Sequence, residues 1–468
     1  MKLSQSRLNV IPRFDDPRLI GYAGLIPVMR LAQDAGLHRL ASELIDVPTD
    51  KGANPGAKIA SLIAGMVSGG DSIRDMDAIR HGGMDRVFTD WRAPSTLGSF
   101  LRAFTFGHAR QVDALGSRFL LGLDHHSSVF GPHDDGAPVM VDIDDTIVEV
   151  HSHHKQGARI GYTKTLGLNA LLVTASSTRF APVIIADRLR KGSANSARGA
   201  CSLLGQGLAT LTRSSLSTRQ LWVRADSGFY GHQITAHTIK AGAWLSVTAP
   251  LNASVRRAIA TIDQQAWTTI TYPDPIKDDT TGEWVHRAQV AETTYTAFAA
   301  QDRHHKGHTK GITARLVVRR IPNMAPNPEQ DPLFTHWRYH AIFTTVPTTA
   351  HTAVSVDKYH RGHAIIEQVN SALKDSALAH LPLNKFAANT VWLSLACMAF
   401  NLGRAYATLT ENPLFGVATP ATIRRTLIFV PARITTTARR VIVHLPENWK
   451  WATSWMTAFT ATHRLLPA

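Results

Sequence analysis

An apolar, strand-like run that carries three aspartates is the feature that most constrains how this chain can fold. The segment APVMVDIDDTIVEV at 137–150 is aliphatic and β-branched, which is typical of a buried strand, where a charge is costly. Side chains alternate along a strand, so Asp142 and Asp144 share one face and Asp145 lies on the other. These acids therefore do not form a simple solvated patch.

Two further acidic segments follow. RQLWVRADSGFYG at 219–231 is a second apolar strand, which ends at Asp226 before Ser227 and Gly228 turn the chain. Open α/β sheets bind ligands at the carboxyl ends of their strands, where Asp226 would lie. YHRGHAIIEQVNSALK at 359–374 has helical spacing, with Glu367 and Lys374 seven residues apart on one face.

Carboxylates from three separate elements are the ligand set that a hard divalent cation needs. Mg²⁺ and Mn²⁺ prefer carboxylate oxygens, and two such ions about 3.5–4 Å apart can stabilise both the attacking and the leaving oxygen of an in-line phosphoryl transfer. Any one of these acids alone is more easily explained as a cap or a salt-bridge partner. Three in this context indicate a site for two Mg²⁺ or Mn²⁺ ions and phosphodiester chemistry.

With these motifs the chain resembles the transposases of bacterial insertion sequences that use an Asp, Asp, Glu triad on a ribonuclease-H-like core, most closely the insertion-sequence thirteen-eighty group. The resemblance covers nearly the whole chain, including 92–111, 377–405 and 443–451. It implies an α/β fold with a ribonuclease-H-like mixed-sheet core. It also implies cut-and-paste DNA transposition: metal-dependent cleavage at the ends of the element, then strand transfer into target DNA, by a homodimer that holds two ends.

The family's acids can be carried onto this sequence residue by residue. The first, in an Asp-x-Thr pattern, matches Asp144, the second matches Asp226 in ADSGF, and the third matches Glu367, followed by the basic Lys374. These three acids are the predicted catalytic residues and metal ligands. Asp142, which recurs in the first strand of this group, is predicted as a supporting or alternative metal ligand.

Basic and aromatic residues before the glutamate are predicted to hold the DNA backbone. Related transposases carry a Tyr and an Arg there. In this chain Tyr359 lies eight residues before Glu367 rather than seven, and His363 takes the position four before it. Arg361 is close but lies on a different part of the helical turn. These three residues and Lys374 are the predicted DNA contacts of the catalytic helix.

Composition favours the same class of partner. Fifty Lys and Arg against 35 Asp and Glu give a formal net charge of +15, which favours a polyanion. Cys201 and Cys397 are far apart in sequence and form no CxxC pattern, so neither a disulfide framework nor a zinc module is expected. No apolar run approaches the roughly 20 residues of a membrane span, which predicts a cytoplasmic protein.

Periodicity divides the chain into five parts. They are a helical DNA-binding region at 1–130, the first part of the core at 131–250, a β-rich insertion at 251–346, completion of the core with the glutamate helix at 347–410, and a helical, basic and Trp-containing C-terminal region at 411–468. Predicted core strands lie at 139–150, 163–175, 181–187, 219–226 and 243–248. The first three should form an antiparallel meander.

Three basic segments are further candidate DNA contacts. Arg102 and Arg110 belong to a helix-turn-helix-like stretch, although a helical bundle with solvated arginines explains them equally well. Arg190 and Lys191 precede a predicted helix start and could hold a phosphate, or form a polar loop and cap. Residues 303–310, with the arginines at 315, 319 and 320, could grip DNA or form a solvated hairpin.

Two other functions fit the same motifs. A ribonuclease-H-like nuclease that cuts without joining would share all three acids, and only end-specific binding and strand transfer would distinguish it. A non-catalytic DNA-binding protein derived from a transposase would keep the basic surface. Loss of a triad acid would be its mark, but the chain has all three.

Overall fold

The computed structural model describes residues 11–131, 136–161, 163–277, 284–299, 311–322, 337–437 and 440–463. The strands in these ranges are β1 (Leu19–Ile20), β2 (Val139–Glu149), β3 (Arg159–Ile160), β4 (Leu166–Ser176), β5 (Val183–Lys191), β6 (Leu221–Ala225), β7 (Trp244–Ala249), β8 (Thr268–Lys277), β9 (Trp284–Ala297), β10 (Ile312–Pro322), β11 (Trp337–Thr344), β12 (Ala432–Thr436) and β13 (Val441–His444). The helices are α1 (Leu25–Asp34), α2 (Leu37–Leu44), α3 (Pro55–Val67), α4 (Pro94–Ala103), α5 (Phe106–Ser127), α6 (Ala200–Leu211), α7 (His232–Lys240), α8 (Ala253–Ala260), α9 (Ala353–Arg361), α10 (Ile365–Lys374), α11 (Phe386–Thr408), α12 (Pro413–Gly416), α13 (Pro420–Ile423) and α14 (Ala452–His463).

The first half of the main sheet agrees with the strand pattern in the sequence. β2 pairs antiparallel with β4, and β4 pairs antiparallel with β5, so the predicted meander is confirmed. β6 then lies parallel to β2, and β7 lies parallel to β6. Parallel neighbours need crossover connections, which α6 and α7 supply. The carboxyl ends of β6 and β7 consequently lie at one edge of a mixed α/β sheet.

The β-rich segment extends this sheet instead of forming a second one. β11 pairs antiparallel with β7, and β10, β9 and β8 follow in order, which gives ten strands in one sheet within the described ranges. The β7–β11 contact aligns Ala249 with Ala341. Helix α9 follows β11 after a short connection, so the strands of the insertion return the chain to the sheet just before the glutamate helix.

A buried helix supports the other face of the core. α11 has 23 residues, and most of its side chains are buried against α3, α5 and β5. The expectation that no apolar run reaches membrane-spanning length was wrong, because this helix is long and apolar enough. However, 78% of its most apolar stretch is buried inside the protein. A helix that is apolar nearly all round is also what a protein core requires.

The sequence analysis predicted a helical C-terminal region, but the structure also contains strands there. β12 and β13 form a hairpin, and β1 near the other end of the chain pairs with β12 to complete a three-stranded sheet. The β-branched residues of ARITT and VIVH favour strands over helix. The tryptophans of this region pack inward: Trp449 donates to the carbonyl of Thr426, and Trp455 is 3% exposed.

Candidate active site

A fully buried ion pair connects the two strands that lead to the predicted catalytic aspartates. Parallel pairing of β2 with β6 places Asp142 beside Arg224, and the guanidinium donates two hydrogen bonds of 2.7 Å to the carboxylate. His363 Nδ1 lies 2.8 Å from the same carboxylate, and Arg224 also donates to the carbonyl of Tyr359 at 2.5 Å. Coulombic attraction and hydrogen bonds from Arg224 and His363 outweigh burial and lower the pKa of Asp142.

This pairing changes the role predicted for Asp142. The side chain is 0% exposed, and both of its oxygens already have partners. A metal ion would have to displace Arg224, which would leave a buried cation without its counter-charge. In this arrangement Asp142 links β2, β6 and the segment before the glutamate helix, which agrees with the supporting role named for it rather than with direct metal ligation.

Two residues further along β2, Asp144 has the opposite electrostatics. Burial, with smaller contributions from the negative charges of Asp226 and Asp145, raises its pKa to about 6. Asn370 donates to Asp144 Oδ2 at 2.9 Å. No arginine or lysine forms an ion pair with Asp144 in the described part of the chain.

Asp226 lies directly after β6, at the edge of the sheet where the sequence placed it. Its carboxylate caps the short turn Ser227–Phe229 by accepting from the Gly228 N–H at 3.0 Å. Burial raises its pKa, while the Gly228 hydrogen bond and His363 oppose the rise. Asp144 and Asp226 thus lie within electrostatic reach of each other. Asp144 is half-buried, whereas Asp226 is open to solvent, so the cost of burying negative charge falls mainly on Asp144.

Helix α10 turns one face toward Asp144. Glu367, Asn370 and Lys374 follow one another at spacings of three and four residues and therefore share this face. Asn370 contacts Asp144 directly, and the charge of Asp144 favours the charged form of Lys374, although burial lowers the pKa of Lys374 overall. Glu367 lies in the first turn of α10, one turn before Asn370, and its side chain is exposed.

The donor set fits a hard cation, but it is not fully assembled. Asp144 and Asp226 offer carboxylate oxygens whose mutual repulsion a bound cation would relieve, and the amide oxygen of Asn370 is buried without a hydrogen-bond partner beside them. Among the described residues, however, no three His, Cys, Asp or Glu side chains are grouped closely enough to hold a metal ion. Glu367 shares the helical face but does not complete such a group.

The residues before Glu367 are engaged within the protein. Tyr359 packs its ring 5.2 Å from that of Trp222, and Arg361 donates to the buried Asp357 at 2.9 Å. Both side chains thus have internal partners but remain partly exposed, so the DNA contacts predicted for them stay predictions. His363 is 15% exposed, and its Nδ1 is held by Asp142, so its other ring nitrogen is the group that remains for a ligand.

The basic segments divide in a similar way. Arg190 is 6% exposed and enclosed by internal partners, which contradicts its predicted DNA contact, whereas the adjacent Lys191 is exposed. Arg102 is exposed on α4, as predicted. Arg110 pairs with Asp113 at 3.1 Å and borders a cavity of about 430 Å³ between α5, β5, α6 and α11.

The arginines of the β-rich segment also have internal roles. The partners of Arg315, Arg319 and Arg320 are, in that order, the carboxylate of Glu292, the carboxylate of Asp357, and the rings of Trp267 and Trp337. Their predicted grip on DNA would require these contacts to break. The basic residues at 303–310 lie outside the described residues.

Sequence reasoning missed two residues that shape the site. Arg224 is a charge inside an apolar strand, and a buried charge needs a partner, so Asp142 on the neighbouring strand was the residue to look for. Asn370 lies three residues after Glu367, on the helical face already noted. Because Glu367 and Lys374 were both predicted to face the site, the polar Asn370 between them on the same helical face could have been predicted to face it too.

Comparison with known families gives a match over nearly the whole chain. A model of the transposase DDE domain, described as group 1, matches residues 3–467. The chain therefore belongs to this family of transposases, which places it among proteins that bind and cut DNA. A search of curated proteins gives no match.

Proposed function

We propose that this chain is a cytoplasmic DNA transposase of the insertion-sequence thirteen-eighty group, with its catalytic site on a ribonuclease-H-like core. It cuts DNA at the ends of its element and joins the freed ends to target DNA. The observation that supports this most directly is the pair Asp144 and Asp226, which lie on or directly after adjacent parallel strands and form no ion pair with an arginine or lysine in the described part of the chain. The match of the transposase family over 3–467 supports the same reaction class.

In this proposal Asp144, Asp226 and Glu367 hold two Mg²⁺ or Mn²⁺ ions. When bound, the ions supply the charge that activates the attacking oxygen and stabilises the leaving oxygen. Glu367 joins the two aspartates by a movement of its side chain or of α10 when DNA is bound. Water attacks first and frees a 3′-hydroxyl, which then attacks a second phosphodiester, so the enzyme needs no covalent intermediate.

Other residues of the chain orient these groups. Asn370 holds one oxygen of Asp144 in place through its amide N–H. The ion pair of Asp142 with Arg224 fixes the register of the two acid-bearing strands, and His363 ties the start of the glutamate helix to it. Lys374, half-buried near Asp144, and the free ring nitrogen of His363 contact the phosphates next to the scissile bond. Two chains act as a homodimer, each on one end of the element.

The decisive experiment is cleavage of linear DNA that carries the element's own ends, in Mg²⁺ or Mn²⁺, by wild type and by Asp144→Asn, Asp226→Asn and Glu367→Gln. Each substitution should lower the cleavage rate by about 10³-fold or more, because it removes a charged ligand from the metal site. Glu149→Gln is the matched control. Glu149 is an exposed carboxylate at the end of the same strand as Asp144, and its loss should leave the rate unchanged.

The products distinguish the proposed function from its alternatives. Cutting at the ends together with joined products would establish a transposase. Cutting without joining at any target would indicate a nuclease, and end-specific binding without cutting by wild type would indicate a non-catalytic DNA-binding protein. Equal rates for wild type and Glu367→Gln would show that Glu367 is not the third acid.

A further inference from the structure

Two adjacent basic residues at the end of β5 point in opposite directions. Side chains alternate along the strand, so Arg190 enters the protein and Lys191 faces solvent. Gly192 follows, and a methyl group there would lie 2.1 Å from the carbonyl oxygen of Gly167, so only glycine allows this close approach of the two backbones. The chain then makes a loop before α6. We call residues 192–199 the clamped loop.

Arg190 holds this loop from below. Its Nη1 donates to three loop carbonyls, those of Asn195, Ser196 and Arg198, at 3.0, 2.9 and 2.8 Å. Its Nε and Nη2 donate to Asn169 Oδ1 at 2.9 and 2.7 Å. The planar guanidinium can satisfy so many acceptors at once because its five N–H groups have a fixed geometry, which a lysine lacks.

Asp145 holds the guanidinium in turn. The carboxylate lies 3.1 Å from Arg190 Nη2 and is 5% exposed, and Asn169 donates to it as well. Asp145 is the neighbour of the catalytic Asp144 on β2, but it lies on the opposite face of the strand. The clamp is thus built on the same strand as the catalytic acid, and the position of the loop is coupled to that strand.

The clamped loop lies against the turn that carries Asp226. A methyl group placed on Gly228 would be 2.9 Å from Ser196 Oγ and 3.2 Å from Asp226 Oδ1. Ser196 therefore touches the turn from one side while Asp226 lies within it. This contact makes the loop a wall of the candidate active site.

The outward side of this wall is basic. Lys191, Ser193, Asn195 and Arg198 are exposed, and residues 188–199 contain no acid. Two cations with hydroxyl and amide groups between them are complementary to a phosphodiester backbone. The neighbouring acids Asp144 and Asp226 would repel the same backbone unless cations lie on either side.

We propose that the clamped loop and Lys191 form the phosphate-binding wall of the site: Lys191 and Arg198 contact the DNA backbone beside Asp226, and Arg190 is the positioning residue that holds the wall in place. This inference rests on the proposed function for the identity of the ligand. Two basic residues that are adjacent in sequence thus have different roles: Lys191 contacts DNA, whereas Arg190 holds the loop within the protein.

The first test measures DNA binding with no metal present, so that cutting cannot occur. Wild type, Lys191→Ala and Arg198→Ala are titrated with a duplex that carries the element's end, at several salt concentrations. Each substitution should weaken binding about three- to tenfold and reduce the slope of log K against log salt by about 1, because each removes one phosphate contact. Lys240→Ala is the matched control, since this exposed lysine lies at the end of α7, before β7 begins, at the opposite edge of the sheet.

The second test addresses the clamp. Arg190→Lys keeps the positive charge but cannot hold three carbonyls, so the loop should lose its fixed position. At a temperature well below the melting point of the variant, the slope of log K against log salt should fall as much as it does in Lys191→Ala and Arg198→Ala. Amide hydrogen exchange of residues 192–199 should also be faster in Arg190→Lys than in wild type. Gly228→Ala offers an independent route, because its methyl group pushes on Ser196 and removes no charge. It should also weaken metal-free DNA binding.

The outcomes separate this inference from the proposed function. Unchanged salt slopes for Lys191→Ala and Arg198→Ala would show that the clamped loop does not bind the DNA backbone, even if the protein cuts DNA. Reduced slopes would support it even if no cutting were found. A normal slope for folded Arg190→Lys, with the loop still protected from exchange, would show that Arg190 does not position the loop.

Discussion

Asp142 and Asp144 are two residues apart on one strand, face the same side, and differ in their surroundings. Asp142 is enclosed by Arg224 and His363, and its pKa is lowered. Asp144 has an amide donor but no cationic ion-pair partner among the described residues, and burial and Asp226 raise its pKa to about 6. An acid whose charge is already balanced can only support the fold, whereas an acid whose charge is unbalanced has free energy to gain from a cation.

The largest expected effect on stability is at Asp142. Asp142→Asn removes the charge that balances the buried Arg224, so we expect a loss of about 3–5 kcal/mol in the free energy of unfolding. Urea denaturation at pH 7 measures it. The double variant Asp142→Leu with Arg224→Met removes both charges and should be less destabilised than the single variant. Equal losses would mean that the ion pair is not the cause.

The sequence predicted the strand that carries both acids, but not the difference between their surroundings. Asp144 lies in a motif, Asp-x-Thr, that a single segment displays, and Asp226 ends a strand that its own residues define. Asp142 has the same local signal as Asp144, and only the pairing of β2 with β6 gives it Arg224. That pairing joins residues 82 positions apart, which local periodicity does not encode.

The same reason explains why the internal partners of several basic residues were not foreseen. Arg190, Arg361 and the arginines of the insertion were predicted to contact DNA because basic residues favour a polyanion. Arg190 pairs with Asp145 and with loop carbonyls, and Arg315 pairs with Glu292, so their partners come from distant strands or from an irregular loop. Arg361 differs, because its partner Asp357 lies four residues earlier on the same helix, a spacing that the sequence displays. The meander and the buried faces of helices were predictable because they follow from periodicity alone.

The second expected effect is a gain in stability at Asp144. The folded-state pKa of about 6 lies above the ordinary value of 3.8, so the native state binds the proton more tightly than the unfolded state does. The ionised carboxylate therefore destabilises the fold, increasingly as pH rises from about 4 to about 6 and fully above that. Asp144→Asn should raise the free energy of unfolding by about 2–3 kcal/mol at pH 8. This gain should vanish near pH 4, and a gain independent of pH would contradict the electrostatic explanation.

A smaller effect should come from the cation itself. If Mg²⁺ balances Asp144 and Asp226, it should stabilise the wild type without any DNA, by about 1.4 kcal/mol at ten times its dissociation constant. Thermal unfolding with and without Mg²⁺ measures this. Asp144→Asn should lose most of the stabilisation, whereas Glu149→Gln, which changes an exposed acid on the same strand, should keep it. Equal stabilisation of all three proteins would place the cation elsewhere.

The smallest effect on stability is expected at Glu367. Its side chain is exposed and lies outside any group of three metal-binding side chains in the described part of the chain, so Glu367→Gln should change the free energy of unfolding by less than about 0.5 kcal/mol. Urea denaturation at pH 8, in parallel with Asp144→Asn, gives the comparison. A gain as large as that of Asp144→Asn would show that Glu367 already lies among the aspartates before DNA binds. A negligible change combined with loss of cleavage would mean that the third acid joins the site only in the complex with DNA, and that the two strand acids alone carry the electrostatic strain of the free protein.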